Sequence, residues 1–291
     1  MAKNEKAIEE KAKTDLAEVK SGALAAPTFM DADDFGGGFE GADRESYAMP
    51  FLQILQKMSP VVDEDDAAYI EGAKAGMLMN SVTHKLYDGK SGLLIVPCAY
   101  QRQFVEWGGR ESNDGGFKGA HTPEEVDAML SRQELVAVDG RYYRPDENGK
   151  VDVKKSNYVA DTRAHFVIAI DPETGDTSSA VLSLSSTQIK ASRTLMTMLQ
   201  QKKVEVNGVK RTPPTFANLV RVTTVGMSND KGSWSGARFE LEGLVSDPNL
   251  YEEAKALYKS VNGGKVKADF SKQTPDSGEG SEGDNGQADN F

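Results

Sequence analysis

Residues 158–184 read YVADTRAHFVIAIDPETGDTSSAVLSL. Tyr158 to Ile170 contains neither glycine nor proline and ends in a dense apolar run, which predicts a long strand. Asp171-Pro172-Glu173-Thr174-Gly175 has turn chemistry and sends the chain back through a second strand, Ala180 to Leu184. The same signature recurs upstream. Leu93 to Val96 is a continuous apolar run after Asp88-Gly89 and Ser91-Gly92, and predicts a central strand. From Tyr100 onward strand alternation puts Tyr100, Arg102, Phe104 and Glu106 on one face. Gln101, Gln103, Val105 and Trp107 take the other. The first face is suited either to stacking bases or to covering a core.

Between these strands, Gly108 to Ala120 is glycine-rich and predicts a surface loop without the spacing of a phosphate-binding loop. Thr122-Pro123-Glu124-Glu125 predicts a helix start that turns Val126, Met129 and Leu130 inward. Leu135 to Tyr143 and Val151 to Val153 flank Asp146-Glu147-Asn148-Gly149 and predict a hairpin about that turn. Further upstream, Phe51, Leu52, Leu55 and Met58 stand at helical spacing, and Ser59-Pro60 ends the run. A short core helix is expected there. The acidic run Asp63 to Asp66 lacks the spacing of a calcium-binding motif and predicts a loop.

Downstream, Ser185 or Ser186 is placed to cap a helix reaching Gln201, with Ile189, Met196 and Leu199 along one side. Asn207-Gly208 predicts a tight hairpin between Val204 to Val206 and Val209 to Arg211. Phe216 to Met227 and Trp234 to Val245 predict two paired strands. Asp247-Pro248 opens a last helix, Asn249 to Val261, burying Leu250, Ala254, Leu257 and Tyr258. Hairpins at short intervals favour a barrel or sandwich over a parallel sheet.

The charge is unevenly spread. The chain of 291 residues carries a net charge of -11. Yet Ser185 to Arg238 holds Lys190, Arg193, Lys202, Lys203, Lys210, Arg211, Arg221, Lys231 and Arg238 against only Glu205 and Asp230, a local net of +7. Excess Lys and Arg create a field that attracts polyanions. The candidate phosphate contacts are Lys190, Arg193, Lys202, Lys203, Arg211, Arg221, Lys231 and Arg238. The candidate stacking residues are Trp107 and Trp234.

The ends have a different composition. Residues 1–44 are charged, then glycine- and aspartate-rich, and predict a disordered arm before a folded region of 45–270. From Phe29 to Arg44 the sizeable apolar side chains are Phe29, Met30, Phe35 and Phe39, free to dock on a partner or on the core. Residues 271–291 predict a disordered acidic tail closing on Phe291. A terminal Phe beside acidic groups offers an apolar plug and a carboxylate, so Asp284, Asp289 and Phe291 are the candidate partner-binding residues.

A strand-rich middle, a basic segment with aromatics and an acidic tail ending Asp289-Asn290-Phe291 together resemble phage-type replicative single-stranded DNA-binding proteins. The resemblance is strongest over the tail and architectural over the rest. This chain has an additional N-terminal arm and a less densely acidic tail. The resemblance implies a β-rich α+β fold, an OB-like antiparallel barrel with accessory helices. It implies single-stranded DNA as a partner, bound without strong sequence preference. It also implies a tail that recruits replication or recombination proteins and competes with DNA.

Other classes fit less well. His84, His121 and His165 are far apart, and no nucleophile elbow or paired-cysteine motif is present, so neither an enzyme nor a cofactor is expected. The rivals are a non-enzymatic adaptor or inhibitor working through the ends, and a structural virion protein. No secretory signal or spanning run is seen, and Cys98 beside Ile95 to Pro97 reads as a buried thiol, so a cytoplasmic location is expected.

Overall fold

The computed structural model describes residues 27–42, 46–112, 115–230 and 232–273. Two units are present. The described residues up to Tyr47, with Asp171–Asp176, are one; Ala48–Ile170 and the residues from Thr177 onward are the other. Among the described residues of the first is a 3-10 turn, Ala32–Asp34. Phe29, Phe35 and Phe39 stand exposed in that unit.

The second unit is an α+β fold. In chain order its strands are β1 (Leu52–Ile54), β2 (Leu78–Asn80), β3 (Leu86–Tyr87), β4 (Leu93–Trp107), β5 (Phe117–His121), β6 (Val136–Val138), β7 (Arg141–Tyr143), β8 (Tyr158–Ile170) and β9 (Thr177–Ser185). They continue as β10 (Val204–Val206), β11 (Val209–Arg211), β12 (Asn218–Asn229) and β13 (Gly232–Leu244). Its helices are α1 (Pro123–Ser131), α2 (Ile189–Gln201) and α3 (Pro248–Asn262). None of the described helices is long and apolar enough to cross a membrane.

β4 and β8 form the spine, paired antiparallel from Leu94↔Ile170 to Trp107↔Tyr158. β9 lines the far edge of β8 from Thr162 to Ile170, and β7 takes over at Val159 and Tyr158. The other edge of β4 is divided. β12 pairs with Leu93 to Ile95, β5 with Phe104 to Trp107. A register shift between Pro97 and Ala99 lies between those two partners. An extra residue bends its strand and increases the local twist, so β12 and β5 leave one edge in different directions.

The expected closed barrel is therefore corrected: the antiparallel sheet is curled but open, a half-barrel. Closure would need a backbone ladder between β9 and β13, and none forms. An isolated backbone bridge and a side-chain amide span the seam instead. Phe51, beside β1, makes a parallel bridge to Val181 of β9, and Gln56 exchanges bonds with the backbone of Ser235 in β13.

Two apolar clusters lie on opposite faces of the sheet. The inner one joins Leu93, Ile95, Val167, Leu182, Val220 and Phe239 to Leu195 and Leu199 of α2. The outer one joins Val96, Cys98, Phe166 and Ile168 to Ala254, Leu257 and Val261 of α3. A third, Phe104, Val126, Leu135 and Val159, seats α1. The start of α1 is a complete capping box: Glu125 N donates to Thr122 Oγ1 at 3.2 Å, and Thr122 N to Glu125 Oε2 at 2.7 Å.

Other expectations are revised. The predicted helix over Phe51 to Met58 is strand β1 followed by turns, because Phe51 and Leu52 are buried between Val181 and β2. Tertiary pairing overrides the helical spacing. The glycine-rich loop ends early, and Phe117 already pairs with Trp107. The hairpin after Leu135 turns at Asp139-Gly140, both in the left-handed region at φ 48° and 74°, not at Asp146–Gly149. Cys98 is fully buried, and burial pushes its thiol up to about 12.

Candidate nucleic-acid interface

α2 is amphipathic. Ser192, Leu195 and Leu199 face the sheet, which leaves Lys190 and Arg193 in solvent. At its C-terminal end the chain turns at Lys202 into the β10–β11 hairpin, where the left-handed Asn207 and Gly208 make the tip. The hairpin is tied back to the helix. Lys203 Nζ donates to Gln200 O at 3.2 Å and to Thr212 Oγ1 at 2.6 Å. Lys203 thus serves the architecture as well as the field.

Across α2 and the hairpin, six basic side chains face one carboxylate, Glu205. Among the described residues none of Lys190, Arg193, Lys202, Lys203, Lys210 and Arg211 forms an ion pair. Val206 and Val209 are exposed at the hairpin tip. An exposed, uncompensated basic arm in an acidic chain is an electrostatic footprint for a polyanion.

The remaining predicted cations are placed differently. Arg221 and Arg238 do share the β12–β13 sheet, as the pairing predicted. Each is met by a carboxylate: Arg221 Nε donates to Glu242 Oε1 at 2.5 Å, and Arg238 Nη2 lies 3.3 Å from Glu240 Oε1. Their charge is locally compensated, so they add less to the field than the linear count implied. Lys231, Asp284, Asp289 and Phe291 lie outside the described residues.

The two tryptophans part company. Trp107 is 5% exposed and makes an edge contact with Phe117, ring centroids 6.0 Å apart. It belongs to the outer cluster, and a base platform needs an open ring face, so it leaves the stacking set. Trp234 is half-buried opposite Met227, and its indole Nε1–H is buried without an acceptor.

The fold assembles two further basic groupings, one that sequence reasoning passed over and one of which it saw only the Tyr100 and Arg102 side. Lys57, Lys74 and Lys90 surround the projecting part of β12–β13. Lys57 Nζ donates to Ser233 Oγ at 3.1 Å, while Lys74 and Lys90 line a cleft of about 620 Å³ with Thr224 and Ser235. The other grouping is on the inner face. Arg102 donates from Nε and Nη2 to the Asp161 carboxylate at 3.2 and 2.7 Å. Arg163 Nη2 donates to the same carboxylate at 2.9 Å, and its Nη1 to Tyr100 Oη at 2.8 Å. The Tyr100 ring lies 5.1 Å from that of His165, which is bonded to Ser192 of α2 at 2.8 Å. The alternation of β4 placed Tyr100 and Arg102 on one face, but Asp161 and Arg163 join them only through the β4–β8 register.

A family model described as Pam3 phage gp34-like protein matches residues 19–267, well over half of the chain. No curated protein matches the chain, and no solved structure does.

Proposed function

We propose that this chain, which belongs to the Pam3 phage gp34-like family, binds single-stranded DNA without catalysing a reaction on it. One observation carries the reading: the basic arm of α2 and the β10–β11 hairpin, six cations against one carboxylate in a chain of net charge -11. Phosphate neutralisation releases counterions and supplies affinity without sequence preference. The curled sheet with α2 on its inner face resembles an incomplete OB-like fold, an architecture suited to a strand of unstacked bases.

In this reading Lys190, Arg193, Lys202 and Arg211 take phosphates, and Trp234 contributes an aromatic edge. The acidic C-terminal residues, with Asp284, Asp289 and Phe291, recruit replication or recombination proteins and compete with DNA for the basic arm. The protein works in the cytoplasm of the infected cell, protecting replication or recombination intermediates.

A second reading, a protein-binding adaptor, is favoured by exposed Phe29, Phe35 and Phe39 in the N-terminal unit. Fluorescence anisotropy of a labelled oligo-dT, at low and high salt and against duplex, separates the two. Tight, salt-sensitive binding that prefers the single strand supports the DNA reading. No binding at low salt, with or without residues 271–291, leaves the adaptor.

A further inference from the structure

We infer that the guanidinium of Arg102 is a stacking platform for a nucleobase on the inner face of the sheet; this rests on the single-strand reading. Stacking on a planar cation needs one face supported, the plane fixed and the other face open. Arg102 Cζ lies 4.9 Å from the Phe104 ring centroid, and Phe104 is 4% exposed, so the supported face sits on the core. Two bonds to one carboxylate, Asp161, fix the plane. The Arg102 side chain is nevertheless 42% exposed, which leaves the far face to solvent. Arg guanidinium planes stack on π-systems and are weakly hydrated, so covering that face costs little.

The surroundings favour a nucleotide over a neutral ring. Arg102 and Arg163 share the single carboxylate of Asp161, which leaves one positive charge in excess for a phosphate. Arg163 is nine-tenths buried, and its Nε–H has no acceptor, an unspent donor that raises the local positive potential. The ligand this arrangement takes is a base of the bound strand, with its phosphate nearby.

The test uses the full chain and two probes of equal length: oligo-dT, and an abasic deoxyribose-phosphate strand. Stacking on one platform makes the wild type prefer oligo-dT by at least about fivefold. Arg102→Lys keeps the charge and removes the plane, so it should lose most of that preference while its salt dependence stays as in the wild type. Lys190→Gln is the converse control: it should lower the salt dependence on both strands and keep the preference. A wild-type preference in Arg102→Lys, with its thermal transition intact, overturns the platform alone. Failure of the wild type to bind either strand at low salt overturns single-strand binding, and the platform with it.

Discussion

Gln188, at the entrance to α2, bonds to Ser235 on the edge strand β13 as another strand would. Its Nε2 donates to Ser235 O at 3.0 Å, and its Oε1 accepts from Ala237 N at 2.9 Å. Gln56 repeats the device from the β1 side, accepting from Ser235 N at 2.8 Å and donating to Ser235 O at 3.0 Å. Two side-chain amides therefore satisfy the backbone that a closing strand would have paired. Gln188→Ala should leave the buried Ala237 N–H without an acceptor, at a cost of about 1–3 kcal/mol. Gln188→Glu keeps an acceptor for Ala237 N but sets a buried carboxylate oxygen against Ser235 O, so at neutral pH it should cost at least as much. Urea unfolding measures both, and a wild-type midpoint in Gln188→Ala would show that the amide does not hold the seam.

Glu106 illustrates the opposite use of charge. Its buried carboxylate accepts from Arg144 Nε at 2.6 Å and Nη2 at 2.8 Å, with His121 Nε2 3.0 Å away and Asn157 Nδ2 at 3.4 Å. Burial pushes this carboxyl up, but the bonds from Arg144 and His121 outweigh it and hold it below the usual range. A depressed folded value means stability that is present above the unfolded value of about 4.3 and lost as pH falls through the folded one. Arg144→Ala leaves the charge buried and should cost about 3 kcal/mol, the low end for a broken buried pair because Arg144 is partly exposed. With burial then dominant, acidification should relieve part of that loss. Unfolding curves at pH 7 and pH 4 decide this, and an equal deficit at both pH values would argue against it.

His165 predicts a pH dependence in a different window. It is buried against Ser192, and desolvation, helped by Arg163, lowers it from 6.5 to about 4. Between those values the unfolded chain binds a proton that the folded chain refuses. Stability should therefore fall as pH drops from 6.5 towards 4, by about 1.4 kcal/mol per pH unit from this group. His165→Gln should keep a polar partner for Ser192 and remove that slope. Denaturant midpoints at pH 6.5, 5.5 and 4.5 test it; a slope retained in the variant assigns the effect to other groups.

Features written in neighbouring residues were the legible ones. The helix start at Thr122-Pro123, the Asn207-Gly208 tip and the strand Tyr158–Ile170 needed no distant partner, and all three stand where the sequence placed them. The alternation of β4 also held from Tyr100 to Trp107, because the bulge at Pro97 comes before it. What alternation lacks is which face a distant element covers. Trp107 is buried because Phe117 and the outer cluster close over it, and Arg221 is neutralised because β13 carries Glu242 beside it. Phe51 joined a strand because Val181, far along the chain, offered a bridge. Cross-strand register, which composition does not contain, decided each of these.

The same distinction sets the prediction for the basic arm. Lys190 and Arg193 are exposed on α2 without a carboxylate partner, whereas Arg221 and Arg238 are already met by Glu242 and Glu240. A cation adds to counterion release only where a phosphate replaces water or small ions around it, and each such contact on a single strand contributes about 0.7 to the slope of log K against log salt. Lys190→Gln with Arg193→Gln should therefore flatten that slope by about 1.4 and weaken oligo-dT binding most at low salt. Arg221→Gln with Arg238→Gln should change it much less, because those cations are held by Glu242 and Glu240 rather than by a phosphate and release no counterion when the strand binds. Both doubles lie on exposed or half-exposed positions, so stability should change by less than about 1 kcal/mol. Anisotropy titrations across a salt series compare them directly. A larger loss of slope from the β12–β13 double would move the phosphate track off α2 and onto the sheet.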